Sequence, residues 1–110
     1  MKVDIADVLE VLPGASGEFT IYTVPGARRL KLAKVKLYFP VGTNFELKIQ
    51  VLWGNKEVRP TEGYYRGDGN WVIAVAEEVY SSGDKIRLKY ENTSATETKR
   101  VYYHLEGELE

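Results

Sequence analysis

The sequence predicts an all-β protein, a single antiparallel β-sandwich of about eight strands. From Phe45 to Trp53 every second residue is apolar, and the residues between them are mostly polar. This period of two is that of a strand with one buried and one solvated face. Similar alternation recurs along most of the chain, and clusters of Gly, Pro, Asn and Asp separate the alternating segments.

Residues 3–12 form the first predicted strand, although the alternation there is imperfect and a short helix is the alternative. After the turn at 13–17, a run of β-branched and aromatic residues predicts the second strand. Alternation and flanking turns predict the others, and the strands after the first are 18–24, 29–39, 45–53, 56–60, 70–77, 85–90 and 100–109. We expect residues 61–70 to form a loop or a very short strand pair.

Two of these strands carry further signals. In 29–39 the apolar parity switches near Ala33, which predicts a β-bulge that re-aims the side chains. The segment 56–60 contains Pro60, which predicts a sheet edge because proline cannot donate a ladder hydrogen bond.

The two tryptophans follow the apolar parity of their strands. Trp53 ends the strand 45–53, and Trp71 shares its parity with Ile73 and Val75 in 70–77. We therefore expect both tryptophans in the core. The alternate residues of 70–77 are apolar as well, so this strand is predicted to be buried on both faces.

About eight strands with one long central hairpin favour a jelly roll, and an immunoglobulin-like sandwich is the alternative. Residues 1–110 are long enough for one domain. Residues 1–12, with their weak alternation, are predicted to be an edge strand or an arm that pairs with a neighbouring subunit.

Composition excludes several classes of protein. The net charge is −1, from 15 basic and 16 acidic side chains, so the chain lacks the basic excess of a nucleic-acid binder. There is no cysteine, and we find neither a leader peptide nor an apolar run that would span a membrane. We expect a location in the cytoplasm or in a virion. Scarce Gln, Met and Cys predict a thermophilic source.

We predict no catalytic, cofactor-binding or metal-binding residue. His104 is the single histidine, and no nucleophile motif accompanies it, so we interpret it as an exposed strand residue. The adjacent Glu77 and Glu78 point to opposite faces of a strand, which is unsuitable for a catalytic pair. Asp68–Asn70 lacks the pattern of a calcium loop. The Arg-Gly-Asp tripeptide at 66–68 is interpreted as a turn. The protein is therefore not expected to be an enzyme.

Aromatic residues give the strongest signal of a binding surface. Tyr64 and Tyr65 lie beside Arg66 in a glycine-rich loop, and Trp71 follows closely. Tyr, Trp and Arg are the residues that dominate interface hot spots. We predict that Tyr64, Tyr65, Arg66 and Trp71 bind a partner, either a protein or a carbohydrate. The alternative is that one tyrosine plugs the end of the sandwich.

Four segments carry a family resemblance: Thr23–Gly26, Lys34–Leu37, Val79–Leu88 and Glu91–Thr93. Their layout resembles that of small β-sandwich accessory proteins of phage and archaeal-type virions, including capsid decoration proteins. The resemblance spans residues 18–107 and lies mostly in turn residues. It implies a non-enzymatic, trimeric or otherwise oligomeric protein that docks on a capsid lattice or tail and stabilises the particle.

The alternative function is a carbohydrate- or protein-binding module of jelly-roll architecture. Such a module would use the aromatic loop as its binding surface. Both hypotheses expect a protein or sugar partner, no cofactor, no nucleic acid and no membrane.

Overall fold

The computed structural model describes residues 1–76 and 78–110, and within them it contains nine strands and no helix. The predicted all-β sandwich is confirmed, and the alternative of a short helix at 3–12 is wrong. The strands are β1 (Lys2–Val11), β2 (Ser16–Thr23), β3 (Arg29–Phe39), β4 (Leu47–Trp53), β5 (Glu57–Arg59), β6 (Asn70–Val75), β7 (Tyr80–Ser81), β8 (Lys85–Asn92) and β9 (Lys99–Leu109). Glu77, the last residue of the predicted strand 70–77, lies outside the described residues.

The strands form two antiparallel sheets. Sheet A has the order β1-β9-β3-β6, and the short β7 also pairs with β3. Sheet B has the order β2-β8-β4-β5. Strand β1 pairs with β9 along its whole length and is one edge of sheet A, whereas β6 lies at the other edge. Strand β5, just before Pro60, is an edge of sheet B, as the proline predicted.

Strand pairing is nested. Strand β1 pairs with β9, β2 with β8, β3 with β6 and β7, and β4 with β5. This is the pairing of one long hairpin that has been rolled into two sheets, and it favours the jelly-roll interpretation. In an immunoglobulin-like sandwich the first strand shares a sheet with the second, fifth and fourth strands. The jelly-roll assignment itself stays a prediction.

A continuous apolar core fills the space between the sheets. Every second side chain of the central strands points into it, and Trp53 is fully buried there as expected, with its ring stacked 6.1 Å from that of Tyr80. Full burial of one Leu, Ile or Val side chain contributes about 1.5–3 kcal/mol to the free energy of unfolding. The largest buried residues are Trp53, Tyr80, Phe39, Leu30, Leu37, Leu47, Ile49, Ile86, Leu88, Leu105, Leu109 and Val11.

The short strand β7 was not predicted, several other strand bounds shift by one or two residues, and two further differences concern β4 and β3. Strand β4 begins at Leu47, so the prediction that it begins at Phe45 is wrong. Phe45 is exposed in a turn with a φ of 58°, which is outside the range of a strand. The predicted bulge is present, but the register of β3 against β9 shifts between Leu30 and Leu32, slightly before Ala33. The shift leaves Leu32 exposed and Ala33 buried.

A buried asparagine ties one end of the sandwich together. The Asn92 side-chain amide donates hydrogen bonds to the carbonyl oxygens of Val11 at 3.0 Å, Leu12 at 3.3 Å and Glu97 at 2.8 Å. Its oxygen accepts a hydrogen bond from the Ser94 amide at 2.9 Å. The side chain therefore joins the end of β1, the end of β8 and the loop before β9.

We expect Asn92→Ala to lower the free energy of unfolding by about 2–3 kcal/mol, because its buried partners lose their hydrogen bonds. Chemical denaturation measures this change. Thr96→Ala, an exposed change in the same loop, is the control and should cost less than about 0.5 kcal/mol. Equal losses in the two variants would contradict the structural role of Asn92.

Candidate functional site

The outer face of sheet A carries an aromatic row. Strand register sets Val8 opposite Tyr102, Tyr102 opposite Tyr38, and Tyr38 opposite Trp71, across all four principal strands. The ring centroids of Tyr38 and Trp71 are 5.0 Å apart, and those of Tyr38 and Tyr102 are 6.4 Å apart. We call Trp71, Tyr38 and Tyr102 the aromatic row.

A shallow groove runs beside the aromatic row. Its volume is about 420 Å³, and its walls include Trp71, Tyr102, Val8, Ala6 and His104. Tyr102 is 44% exposed, and Trp71 is 60% exposed. Large aromatic side chains this accessible are depleted on ordinary surfaces and enriched at binding interfaces.

Trp71 is on the surface, so the prediction that it belongs to the core is wrong. Residues Trp71, Ile73 and Val75 point away from the core, whereas the smaller side chains of Val72, Ala74 and Ala76 point inward. The prediction that the strand is buried on both faces is wrong for the same reason. Because both parities of β6 are apolar, periodicity alone could not decide which one faces the core.

The three outward side chains of β6 form a second apolar feature. Exposure is 60% for Trp71, 56% for Ile73 and 46% for Val75. They follow one another along the margin of sheet A, and we call them the apolar edge. Trp71 belongs to both features, so the aromatic row and the apolar edge meet at a right angle.

A charged cluster occupies the centre of the same face. The Glu106 carboxylate lies 3.2 Å from Lys36 Nζ and 3.3 Å from Lys34 Nζ. On its other side, His104 Nδ1 lies 3.4 Å from Glu106, and His104 Nε2 makes a hydrogen bond to Asp4. The hydrogen bond from Lys36, with further help from Lys34, lowers the pKa of Glu106 below its usual range.

Tyr64 and Tyr65 lie on the other side of the sandwich. The Lys48 ammonium of β4 sits 5.4 Å from the centre of the Tyr64 ring, at the outer face of sheet B. The Tyr65 backbone exchanges hydrogen bonds of 2.8 and 3.0 Å with Ile49, and burial raises the pKa of the Tyr65 phenol. The structure therefore does not bring Trp71 together with the predicted tyrosine pair.

The tripeptide at 66–68 is held against the body of the protein. Arg66 is exposed, but Gly67 is buried, and a Cβ atom there would lie 2.8 Å from the Phe39 ring. The Asp68 carboxylate accepts a hydrogen bond of 2.7 Å from the Gly42 amide. This packing ties Gly67 and Asp68 down, so the tripeptide does not stand out as a free loop.

Other candidate chemistry is sparse in the part of the chain that the structure describes. No group of three or more His, Asp or Glu side chains is arranged to hold a metal ion. His104 was predicted to be exposed, but it is half-buried in the charged cluster. Of the two adjacent carboxylates that we interpreted as unsuitable for catalysis, Glu77 lies outside the described residues. Over residues 1–76 and 78–110, no helix long and apolar enough to cross a membrane is present.

Comparison with known proteins does not identify a family for this chain. No protein-family model matches this chain, and no curated protein matches it significantly.

Sequence reasoning missed Tyr38, Ile73 and most of the aromatic row. A usable signal was present, because Tyr38 and Tyr102 occupy the otherwise polar parity of β3 and β9. Aromatic residues at solvent-facing strand positions are informative, since single exposed apolar residues are common but contiguous ones are not.

The lysine contacts of Glu106 predict a pH effect. A carboxyl group whose pKa is lowered by folding stabilises the protein above its unfolded pKa of about 4.3, and this stabilisation is lost as the pH falls. We expect Glu106→Gln to lower the free energy of unfolding above about pH 5, and the difference from the wild type to shrink below about pH 4.

Urea denaturation at a series of pH values measures this difference. Glu10→Gln, which removes an exposed carboxylate from the same sheet face, is the control for the loss of one charge. If the deficit of Glu106→Gln stays constant down to about pH 3, the lysine contacts do not lower the pKa of Glu106.

Proposed function

We propose that this chain is a non-enzymatic structural protein that joins protein subunits through the outer face of sheet A. The observation that carries the proposal is the aromatic row, in which Trp71 and Tyr102 are exposed and which continues into the apolar edge. Contiguous apolar surfaces of this kind mark interaction sites, because leaving them in water is unfavourable.

The chemistry of the face supports a protein partner. Tyr and Trp are enriched in the centres of protein interfaces, whereas lysine and glutamate are depleted there and are common at the rim. The aromatic row matches the first pattern. The charged cluster lies beside the aromatic row, and its two lysines are already paired with Glu106, so it would border the apolar contact and remain partly solvated.

A sugar ligand is less well supported. The ring of Tyr38 is tilted by 46° to that of Trp71 and by 49° to that of Tyr102. The three rings therefore share no plane on which an extended sugar chain could lie flat. Tyr64, which the carbohydrate hypothesis also uses, is at the outer face of the opposite sheet. A glycan-binding module remains the alternative that the experiment below tests.

A narrower form of the proposal is a virion accessory protein of the capsid decoration type. It is supported by the resemblance of residues 18–107 to such β-sandwich proteins, which stabilise particles through oligomeric contacts. The outer face of sheet A then docks on neighbouring copies or on a capsid lattice. The wider proposal, a subunit-joining protein, stands on the surface chemistry alone.

We expect the chain to elute from a native extract in an assembly larger than its own 12.5 kDa, as measured by gel filtration with light scattering. Tyr102→Ser removes the exposed ring at the β9 end of the row and should release the monomer. Tyr64→Ser makes the same change at the outer face of sheet B and should leave the assembly intact.

A glycan array on the same three proteins completes the test. We expect no binding by the wild type. A monomeric chain that binds a glycan, and loses that binding in Tyr102→Ser, would contradict the proposal and support the carbohydrate-binding module.

A further inference from the structure

Strand β6 is an edge strand without the usual protection. It pairs with β3 on one side, and within residues 1–76 and 78–110 no strand pairs with its other side. From Gly69 to Ala76 it contains neither a charged residue nor a proline. Natural edge strands normally carry such residues, because a bare edge recruits another strand.

In β6, the residues whose side chains are exposed are also those whose backbone N–H and C=O groups face the open edge of the sheet. The Ala76 amide donates a hydrogen bond of 2.9 Å to the Ala33 carbonyl, so Ala76 faces β3. Backbone groups in an antiparallel ladder alternate in direction from residue to residue. The N–H and C=O groups of Trp71, Ile73 and Val75 therefore point to the open edge, on the same residues that expose apolar side chains.

We propose that β6 pairs antiparallel with β6 of a second copy of this chain, about a two-fold axis that passes between the two Ile73 residues. This inference rests on the proposed function and names its partner. In this register Ile73 lies opposite Ile73, and Trp71 lies opposite Val75 of the other copy. The hydrogen-bonded pairs of this register all belong to the set of residues whose N–H and C=O groups face the open edge, so sheet A continues without interruption into the second copy.

The alternation of side chains along β6 makes the same strand of a second copy a suitable partner. The pairing keeps Trp71, Ile73 and Val75 of both copies on the outer face, with the largest side chain beside a smaller one. It also keeps the small inward residues Val72 and Ala74 of both copies on the core side. A strand with polar residues on its inward face would bury them against the core at a cost.

Charges at the two ends of β6 favour the antiparallel direction. Arg66 precedes the strand and Glu78 follows it, and both are exposed. Antiparallel pairing brings Arg66 of one copy towards the Glu78 end of the other, whereas a parallel arrangement would bring like charges together. In this register Asp68 lies opposite Glu78 of the other copy, but its carboxylate accepts a hydrogen bond of 2.7 Å from the Gly42 amide, which holds it against its own copy.

The area buried between the two copies indicates the expected affinity of the dimer. Pairing of the two edges covers only part of the exposed surface of Trp71, Ile73 and Val75, because these side chains stay on the outer face of the continued sheet. The area removed from water is therefore on the order of a few hundred Å². A standard interface buries about 1,200–2,000 Å². Strand hydrogen bonds add to this apolar contact, as in other cases of β-strand addition. We therefore expect a reversible dimer with a dissociation constant in the micromolar range.

Sedimentation equilibrium of the purified chain from about 1 μM to about 1 mM tests the dimer. Ile73→Lys places a charge on the edge strand and should weaken the dimer by about tenfold or more. Leu32→Lys is the matched control, because Leu32 is exposed on the same sheet face but on the interior strand β3. It should change the affinity by less than about threefold.

Cross-linking tests the register. The chain has no cysteine, so Ile73→Cys introduces a single thiol. Directly paired residues have Cα atoms about 5.5 Å apart, which a disulfide can span. We expect oxidation to a disulfide-linked dimer, whereas Leu12→Cys, at an exposed position just after β1 at the opposite edge of sheet A, should remain largely monomeric.

Two results would overturn the inference. The first is a dimer that Ile73→Lys leaves intact and in which the amides of Trp71, Ile73 and Val75 show no added protection from hydrogen exchange. The second is a chain that stays monomeric at about 1 mM and whose Ile73→Cys variant does not cross-link. Neither result affects the test of the proposed function, which depends on Tyr102 and on the assembly in a native extract.

Discussion

Closure of the two sheets over one core governs this structure, because each strand can give only every second side chain to the space between them. On the central strand β3, beyond its bulge, that choice is unambiguous: Val35 and Leu37 point inward, and the alternate lysines Lys34 and Lys36 reach solvent. In β6 both sets of alternate residues are apolar, and the set with the smaller side chains faces the core. Placing Trp71 and Ile73 inside would overfill the core, and overpacking is also destabilising. The apolar edge is therefore a consequence of how the core is filled.

The outer face of sheet A then acquires its chemistry from strand register. Each row across the sheet combines residues from segments far apart in sequence, and the aromatic row joins β9, β3 and β6 in this way. The charged cluster around Glu106 lies next to the aromatic row, and its paired lysines keep that part of the face polar. Aromatic contact area, a polar surround and an unprotected strand edge occur together on one side of the molecule. That combination is what a subunit-joining surface requires, and the other outer face, where Tyr64 lies over Lys48, lacks it.

Most of the strands could be predicted from the chain, because alternation and turn residues are local properties. The segment 29–39 has the same bounds in the structure, and its bulge lies within a few residues of the predicted position. Phe45 was misassigned because its parity fits the strand that follows, whereas its backbone belongs to a turn. The candidate site was harder. Tyr64, Tyr65 and Trp71 are close in sequence, but the chain crosses from sheet B to sheet A between them, so proximity along the chain did not become proximity in space.

The sequence by itself determined the fold class, the approximate strands and the absence of cysteine chemistry, since composition and a period of two are readable without coordinates. Only the tertiary structure decided which strands are neighbours, which parity of β6 faces water and which aromatic residues share a row. The reason is physical. Pairing between distant segments and the volume available in the core depend on all strands at once, and no single segment contains that information.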